Sequence, residues 1–340
     1  MTESATPVQP ASPEESGTPG VPDGATLAAG VDLGGTNIQV GIIDAQGNVY
    51  GRSKTKTDAS AGFDGVVARV LKAVDQACAD TGIERARLSC LGIGTPGPVD
   101  PSTGVVLEAV NLRWDNAPLR DVLQAQTGVD VVVDNDVNAA IYGEWKRGAG
   151  RGAGHVLGVW VGTGVGGGLV LNGQPFGGHF HSAGEIGHMI LVPGAAPGSR
   201  SLEHNCSRTA IAERIAQLVR ANRKSTIAGA INDGKRIKSR VLGDAYKSGD
   251  ELVCEVINDA ANRLGMAIGS IVTLLSLQRV VIGGGLTEAL GEPYVQRVRE
   301  AALREAFPAA VRQVEIVESA LGDDAGIIGA GLAALDRLGV

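Results

Sequence analysis

Cysteine is scarce in this chain and scattered where it occurs. Cys78, Cys90, Cys206 and Cys254 form no CxxC pair, which excludes a disulfide framework and fits reduced thiols in a cytoplasmic protein. Aromatic residues make up only 3% of the 340; Trp114, Trp145 and Trp160 read as packing residues without chemistry. A basic surplus is also missing: 30 Lys and Arg stand against 37 Asp and Glu, for a net charge of −7. That balance argues against non-specific nucleic-acid binding, and the basic run at 235–240 reads as a solvated loop or helix start. No apolar run reaches the ~20 residues that a membrane span requires. Residues 1–24, rich in Ser, Pro, Glu, Thr and Gly, lack the basic start and apolar core of a signal peptide and are expected to form a disordered tail.

Glycine, by contrast, is abundant: 50 residues, roughly twice the usual ~7%. Seven of these glycines fall in two turns of like design, Asp32-Leu33-Gly34-Gly35-Thr36-Asn37 and the seven residues 162–168, Gly-Thr-Gly-Val-Gly-Gly-Gly. Each lies between apolar stretches of strand character, 27–31 and 38–43 for the first, 156–161 and 169–171 for the second. Successive backbone N–H groups in such turns converge on an anion, and glycine lets the chain approach it closely. Two of them suggest an oligophosphate gripped from both sides.

Helical spacing of apolar residues predicts amphipathic helices over 63–81, 203–222 and 251–277, with a closing helix over 324–338. Short apolar strands are expected at 88–93, 129–133 and 280–282. Each half therefore opens with a glycine hairpin and continues through alternating strands and helices, an α/β arrangement built twice, with the space between the halves as the natural ligand cleft.

Six motifs, in order, carry a family resemblance: DLGGTN at 32–37, GIGTPGPVD at 92–100, DNDVNAA at 134–140, GTGVGGG at 162–168, GEIGH at 184–188 and IGGGL at 282–286. The chain resembles the ROK family of sugar kinases over about 29–331. The resemblance implies a duplicated actin-like (ribonuclease H-like) ATPase fold with two domains around a central cleft. The small domain would comprise 25–135 plus 322–340 and the large one 136–321. It also implies a cytoplasmic homodimer that phosphorylates a hexose from ATP with Mg²⁺, most simply a glucokinase. Other hexoses, polyphosphate as donor, and a catalytically silent sugar-binding regulator remain open. A winged-helix repressor fits poorly, because only a short Pro- and Ser-rich segment precedes Leu27. No nucleic acid or membrane partner is expected.

On the family pattern, Gly34, Gly35, Thr36 and Asn37 would hold ATP phosphates on one side and Thr163 and Gly164 on the other, with Gly283, Gly284 and Gly285 beside the adenosine. Asp32, at a strand end, would order the water shell of Mg²⁺. Asp136, where a strand gives way to a helix, would be the catalytic base; the plainer reading of it is a helix N-cap. Gly97, Asn111, Asn135, Asp136, Glu185, His188 and Glu203 would contact the sugar. In many ROK proteins a CxCGxxGCxE segment holds a structural zinc with the GEIGH histidine. Here 197–203 reads Pro-Gly-Ser-Arg-Ser-Leu-Glu, so no zinc of that kind is expected; His204 and Cys206, with His188 and His179 or His181, form the one substitute set.

Overall fold

The computed structural model describes residues 20–340, so the expected tail lies outside the described residues apart from 20–24. Alternating apolar residues build a hairpin, β1 (Leu27–Leu33) and β2 (Asn37–Asp44), extended by β3 (Val49–Lys56). The helix α1 (Gly62–Asp80) buries Val66, Val67, Val70, Val74 and Ala77 on one stripe, as its periodicity requires. After β4 (Cys90–Thr95) comes a small antiparallel sheet of β5 (Val99–Asp100), β6 (Val105–Ala109) and β7 (Trp114–Ala117). Then α2 (Leu119–Thr127) leads to β8 (Asp130–Asn135), which runs directly into α3 (Asp136–Arg147).

The second half repeats the opening with β9 (Val156–Val161), β10 (Val165–Leu171) and the short β11 (Gln174–Pro175). Five helices follow: α4 (Glu203–Cys206), α5 (Arg208–Arg220), α6 (Ala228–Asn232), α7 (Ser239–Lys247) and α8 (Glu251–Leu275). The chain closes with β12 (Arg279–Gly283), α9 (Gly285–Leu290), α10 (Glu292–Glu305), β13 (Glu315–Glu318) and α11 (Ala325–Leu338).

The two five-stranded sheets have the same order, β3-β2-β1-β4-β8 and β11-β10-β9-β12-β13. In each, the first three strands are antiparallel and the last two run parallel to the central one. The glycine hairpins β1–β2 and β9–β10 thus occupy equivalent places, and the repeat read from the sequence is a repeat of topology.

Helices α3 and α11 join the halves. They cross on bare backbone: a Cβ at Gly329 would lie 1.7 Å from the Ala139 carbonyl oxygen. The end of α3 is tied to the stretch leading into α11 by Glu144, a fully buried carboxylate. It accepts from Ala149 N at 2.7 Å, Ser319 Oγ at 2.6 Å and Leu321 N at 2.8 Å, partners that make a buried charge tolerable.

Two expectations need correction. The helix expected over 203–222 breaks at Ser207, whose backbone is extended and whose Oγ accepts from Ala210 N at 3.1 Å. A serine that caps a new helix competes with continuation of the old one, which leaves Glu203 on a separate short helix. The run 162–168 is not one turn. Its tip is 162–164, closed by Gly162 N donating to Gly164 O at 2.9 Å, and Val165 onward is strand. The glycines at 166 and 168 serve packing instead: their Cβ atoms would come within 2.7 Å of Val137 and 2.8 Å of Ile141, both on α3.

Candidate active site

The three parallel strands β1, β4 and β8 end together. Asp32 pairs in register with Gly94, Gly94 with Asp134, and Thr95 with Asn135. The carboxyl ends of such strands are where α/β sheets place ligands. The short run at 134–136 divides three jobs. Asp134 turns back to Arg337 on α11 and accepts from Asn138 Nδ2 at 3.2 Å. Asn135 is the cap of α3: its Oδ1 accepts from Val137 N at 2.9 Å and Asn138 N at 3.2 Å. Its Nδ2 donates to Gly97 O at 3.2 Å, so most of the hydrogen-bonding capacity reserved for a sugar is spent on positioning. Asp136 is therefore not the N-cap. It stands at the first helical position, with Oδ1 accepting from Val137 N at 2.9 Å.

Loss of hydration, followed by the nearby charge of Glu185, pushes the Asp136 carboxyl up to about 6, against the pull of its backbone hydrogen bond from Val137. Asp32 is pushed up to about 7 by burial, then by Asp136 and Asp323, with Lys54 opposing. Two carboxylates near the ends of β1 and β8, on either side of β4, with the charge of Asp136 raising Asp32, form a site that wants a cation. Asp32 packs at the start of α11, where a Cβ on Gly326 would lie 3.0 Å from its Cγ.

The first glycine loop is closed by Gly34 N donating to Asn37 O at 2.9 Å and braced by Thr57, whose Oγ1 donates to Gly34 O at 2.6 Å. Thr36 is exposed at its tip, while the Asn37 side chain accepts from Lys56 Nζ at 3.0 Å. Asn111 lies over this loop: a Cβ at Gly35 would come within 3.0 Å of the Asn111 Cβ. Gly97 needs its φ of +89°, and any side chain there would meet Glu108 O at 1.9 Å, so the turn that Asn135 holds admits only glycine.

The second loop is built from farther along the chain. Glu203 Oε2 accepts from Val165 N at 2.9 Å. Arg208 N donates to Gly162 O at 2.9 Å, and its guanidinium donates to Thr163 Oγ1 at 2.8 Å. Thr209 Oγ1 donates to Thr163 O at 2.8 Å. The turn 184–187 packs on β10, where a Cβ on Gly167 would strike Gly184 O at 2.6 Å, and Gly187 lies against Glu203 Cβ. Glu185 and His188 are exposed there. Gly284, at φ +91°, lets the β12–α9 turn sit against the end of β9, since a Cβ would be 2.8 Å from Val161 N. This sets Gly283–Gly285 beside the second loop, where a Cβ on Gly285 would meet only Ser239 Oγ, at 3.8 Å.

Sequence reasoning missed Arg208. It is buried at 7% exposure, finds no carboxylate partner among the described residues, and its other guanidinium nitrogen donates to Ile237 O at 3.1 Å. Burial and the neighbouring Arg236 hold its pKa below the usual arginine range. It lines a cavity of about 450 Å³ beside Thr163, with Arg220, Lys235 and Arg236 on the walls. The basic run at 235–240 is thus in part a pocket wall, a placement that no local spacing discloses. Among the described residues no group of three or more His, Cys, Asp or Glu is placed to hold a metal ion, and no helix is long and apolar enough to cross a membrane.

The ROK family model matches residues 28–337. The chain belongs to the ROK family. A glucokinase of Halalkalibacterium halodurans is 33% identical over 307 residues, covering 89% of this chain and 93% of that protein. A ROK family glucokinase from Streptomyces griseus, solved with glucose and AMPPNP, superposes with a TM-score of 0.79 at 28% identity, covering 91% of this chain and 99% of that one. A ROK family transcriptional regulator, a homolog of the E. coli MLC protein, superposes at 0.80 with 23% identity, covering 91% and 78%; that likeness speaks for the fold alone. The architecture is the duplicated actin-like ATPase fold.

Proposed function

We propose that this ROK protein transfers the terminal phosphoryl group of ATP to the 6-hydroxyl of a hexose, glucose being the first candidate, with Asp136 as general base. The sugar-kinase class rests on the glucokinase similarity over nearly the whole chain. The observation that carries the finer reading is Asp136 itself: free of the capping role that Asn135 takes, at the junction of β8 and α3, and held at about 6 with Glu185 nearby. A base poised there is ionised at neutral pH, yet basic enough to draw a proton from an alcohol as it attacks.

In this reading the hexose lies among Gly97, Asn111, Asn135, Asp136, Glu185, His188 and Glu203. Asp136 takes the hydroxyl proton, the oxygen forms a bond to the terminal phosphorus, and the bond to the ADP oxygen breaks. Catalysis of this kind is mostly positioning and charge stabilisation. Gly35, Thr36 and Asn37 offer backbone N–H groups to the phosphates from one side, with Gly34 closing the turn beneath them, and Thr163 and Gly164 approach from the other. Arg208 stands behind Thr163, and Gly283, Gly284 and Gly285 face the nucleoside. Asp32 suits Mg²⁺, whose bound form neutralises phosphate charge and is commonly held through one carboxylate and water.

We further infer that 25–135 with 322–340 closes on 136–321 about the α3–α11 crossing, so that water is excluded during transfer. A coupled ADP-release assay across a panel of hexoses, repeated with polyphosphate in place of ATP, tests the reading. Turnover confined to hexoses and lost in Asp136→Asn supports it. Hexose binding without turnover would instead identify a sugar-binding regulator.

A further inference from the structure

His188 and Glu203 are fifteen positions apart, and the loop between them begins and ends at the site. Met189 follows His188 and Leu202 precedes Glu203, and the two are joined by Leu202 N donating to Met189 O at 2.9 Å. An antiparallel bridge pairs Ile190 with Ser201, and the amides of Leu191 and Val192 both donate to Arg200 O, at 2.8 and 3.0 Å. Whatever fixes this loop fixes where His188 and Glu203 stand.

The zinc that the family resemblance implies does not fit. Cys206 is fully buried with its sulfur donating to Ala260 O at 3.4 Å, and burial pushes its thiol up to about 12. His204 is turned to Ser201, with Nδ1 2.7 Å from Oγ. A zinc ligand set needs ionised thiolate and imidazole nitrogen converging on one point; the buried Cys206 thiol cannot serve, and among the described residues no three His, Cys, Asp or Glu groups are placed to hold a metal ion.

A different device occupies the place. The Asn205 side-chain amide donates to two loop carbonyls, Ser199 O at 3.0 Å and Ser201 O at 2.8 Å. Its own carbonyl oxygen faces Arg263 Nη1 at 3.4 Å, and Arg263 is held on α8 by Asp259 at 2.8 Å. Cys206, one residue on, bolts the same short helix to α8. The loop is therefore fastened to α4 by the Asn205 amide and by Ser201 Oγ beside His204, and α4 to α8 through Arg263 and Cys206.

We propose that Asn205 is the positioning residue of the hexose site, a metal-free brace that sets His188 and Glu203 through their loop. Its effect on hexose rests on the hexose-kinase reading; its effect on the loop does not. The substitution Asn205→Asp keeps size and the contact with Arg263 but turns both donors into acceptors facing carbonyls. The expected result is at least about tenfold faster amide exchange at Leu191, Val192 and Leu202. The hexose KM should rise about tenfold, equivalent to about 1.4 kcal/mol, with kcat within about twofold and a smaller rise in the ATP KM. Ser199→Ala, which removes only a hydroxyl bonded within the loop to Ala196 O, should change neither. If Asn205→Asp does not fold, Arg263→Gln loosens the same brace from α8, with smaller changes in the same direction. A lowered Tm with unchanged hexose KM and unchanged loop exchange overturns the proposal, as does one tightly held zinc per chain in protein purified without chelator. Should the wild type turn over no hexose, the kinase reading falls while amide exchange still decides the brace.

Discussion

Replacing Asp136 by Asn should make the protein more stable and nearly inactive. The folded chain holds the Asp136 proton up to about 6 against an ordinary 3.8, so ionisation at neutral pH works against folding. At 1.36 kcal/mol per pKa unit the full shift corresponds to about 3 kcal/mol, and partial solvent access in the crevice reduces it to about 1–2 kcal/mol. Because the folded-state pKa lies above the unfolded one, the native state binds this proton more tightly. The destabilisation is absent below about pH 4, grows as pH rises through about 6, and is complete above. A non-titrating amide escapes it. Melting curves of both proteins without nucleotide, from pH 4 to 8, should show a gain of roughly 1–3 °C at pH 8 that vanishes at the acid end. Turnover should fall about 10²–10⁴-fold, the usual worth of a positioned base. A variant less stable than wild type at pH 8, or a stability difference flat in pH, refutes the electrostatic reasoning. Near-normal turnover refutes the base.

The same carboxylate predicts an acid limb: log kcat/KM should fall with unit slope below about pH 6, and a profile flat to pH 4.5 contradicts it. Gly168→Ala should cost about 1–3 kcal/mol in denaturant unfolding, because its Cβ would lie 2.8 Å from Ile141 Cγ2; an altered ATP KM with unchanged stability would return that glycine to the phosphate loop. Arg208→Ala should raise the ATP KM about tenfold or more, the worth of a charged hydrogen bond, while calorimetric hexose affinity stays within about twofold. Removing Mg²⁺ with chelator should abolish turnover reversibly, and restoring Mg²⁺ alone should recover it fully.

How much of this was legible in the sequence depends on how far each signal reaches along the chain. The hairpin β1–β2 and the helix α1 announce themselves by period, because their partners are the next few residues. The strand-to-helix step at Asn135 and Asp136 was legible too, since an apolar run ending in three polar residues before a helical pattern can do little else. What local pattern did not decide was which side chain caps the helix. Asp and Asn are nearly equal caps, and the choice fell to Asn135 because its amide also reaches Gly97 O, thirty-eight residues away. β13 and the small β5–β7 sheet went unread because short strands carry weak periodicity; α10 went unread although Tyr294, Val295, Val298, Ala301 and Ala302 stand at helical spacing.

The glycine runs show the same limit from the other side. Gly34, Gly164, Gly166 and Gly168 look alike in sequence, and a phosphate turn explains all four equally well. Only the packed structure separates them. Gly34 closes a hairpin tip, and Gly164 makes room for Glu203, whose Oε2 would lie 2.1 Å from a Cβ there. Gly166 and Gly168 let α3 lie flat on β10, which brings Asp136 up to the cleft. The two loops accordingly differ in what holds them: Thr57, just past β3, for the first, and Glu203, Arg208 and Thr209, some forty residues on, for the second. An edge that depends on distant residues can be coupled to them. Since Glu203 joins the second loop to the brace at Asn205, a ligand that moves the 189–202 loop must also move Thr163. Hexose binding should therefore tighten ATP, and by linkage ATP should tighten hexose by the same factor. Asn205→Asp, by loosening the brace, should weaken that coupling in both directions equally. Calorimetric titration of each ligand with a non-hydrolysable analogue in place of ATP measures both factors, and an Asn205→Asp protein that keeps the full wild-type coupling would break the link between brace and loop.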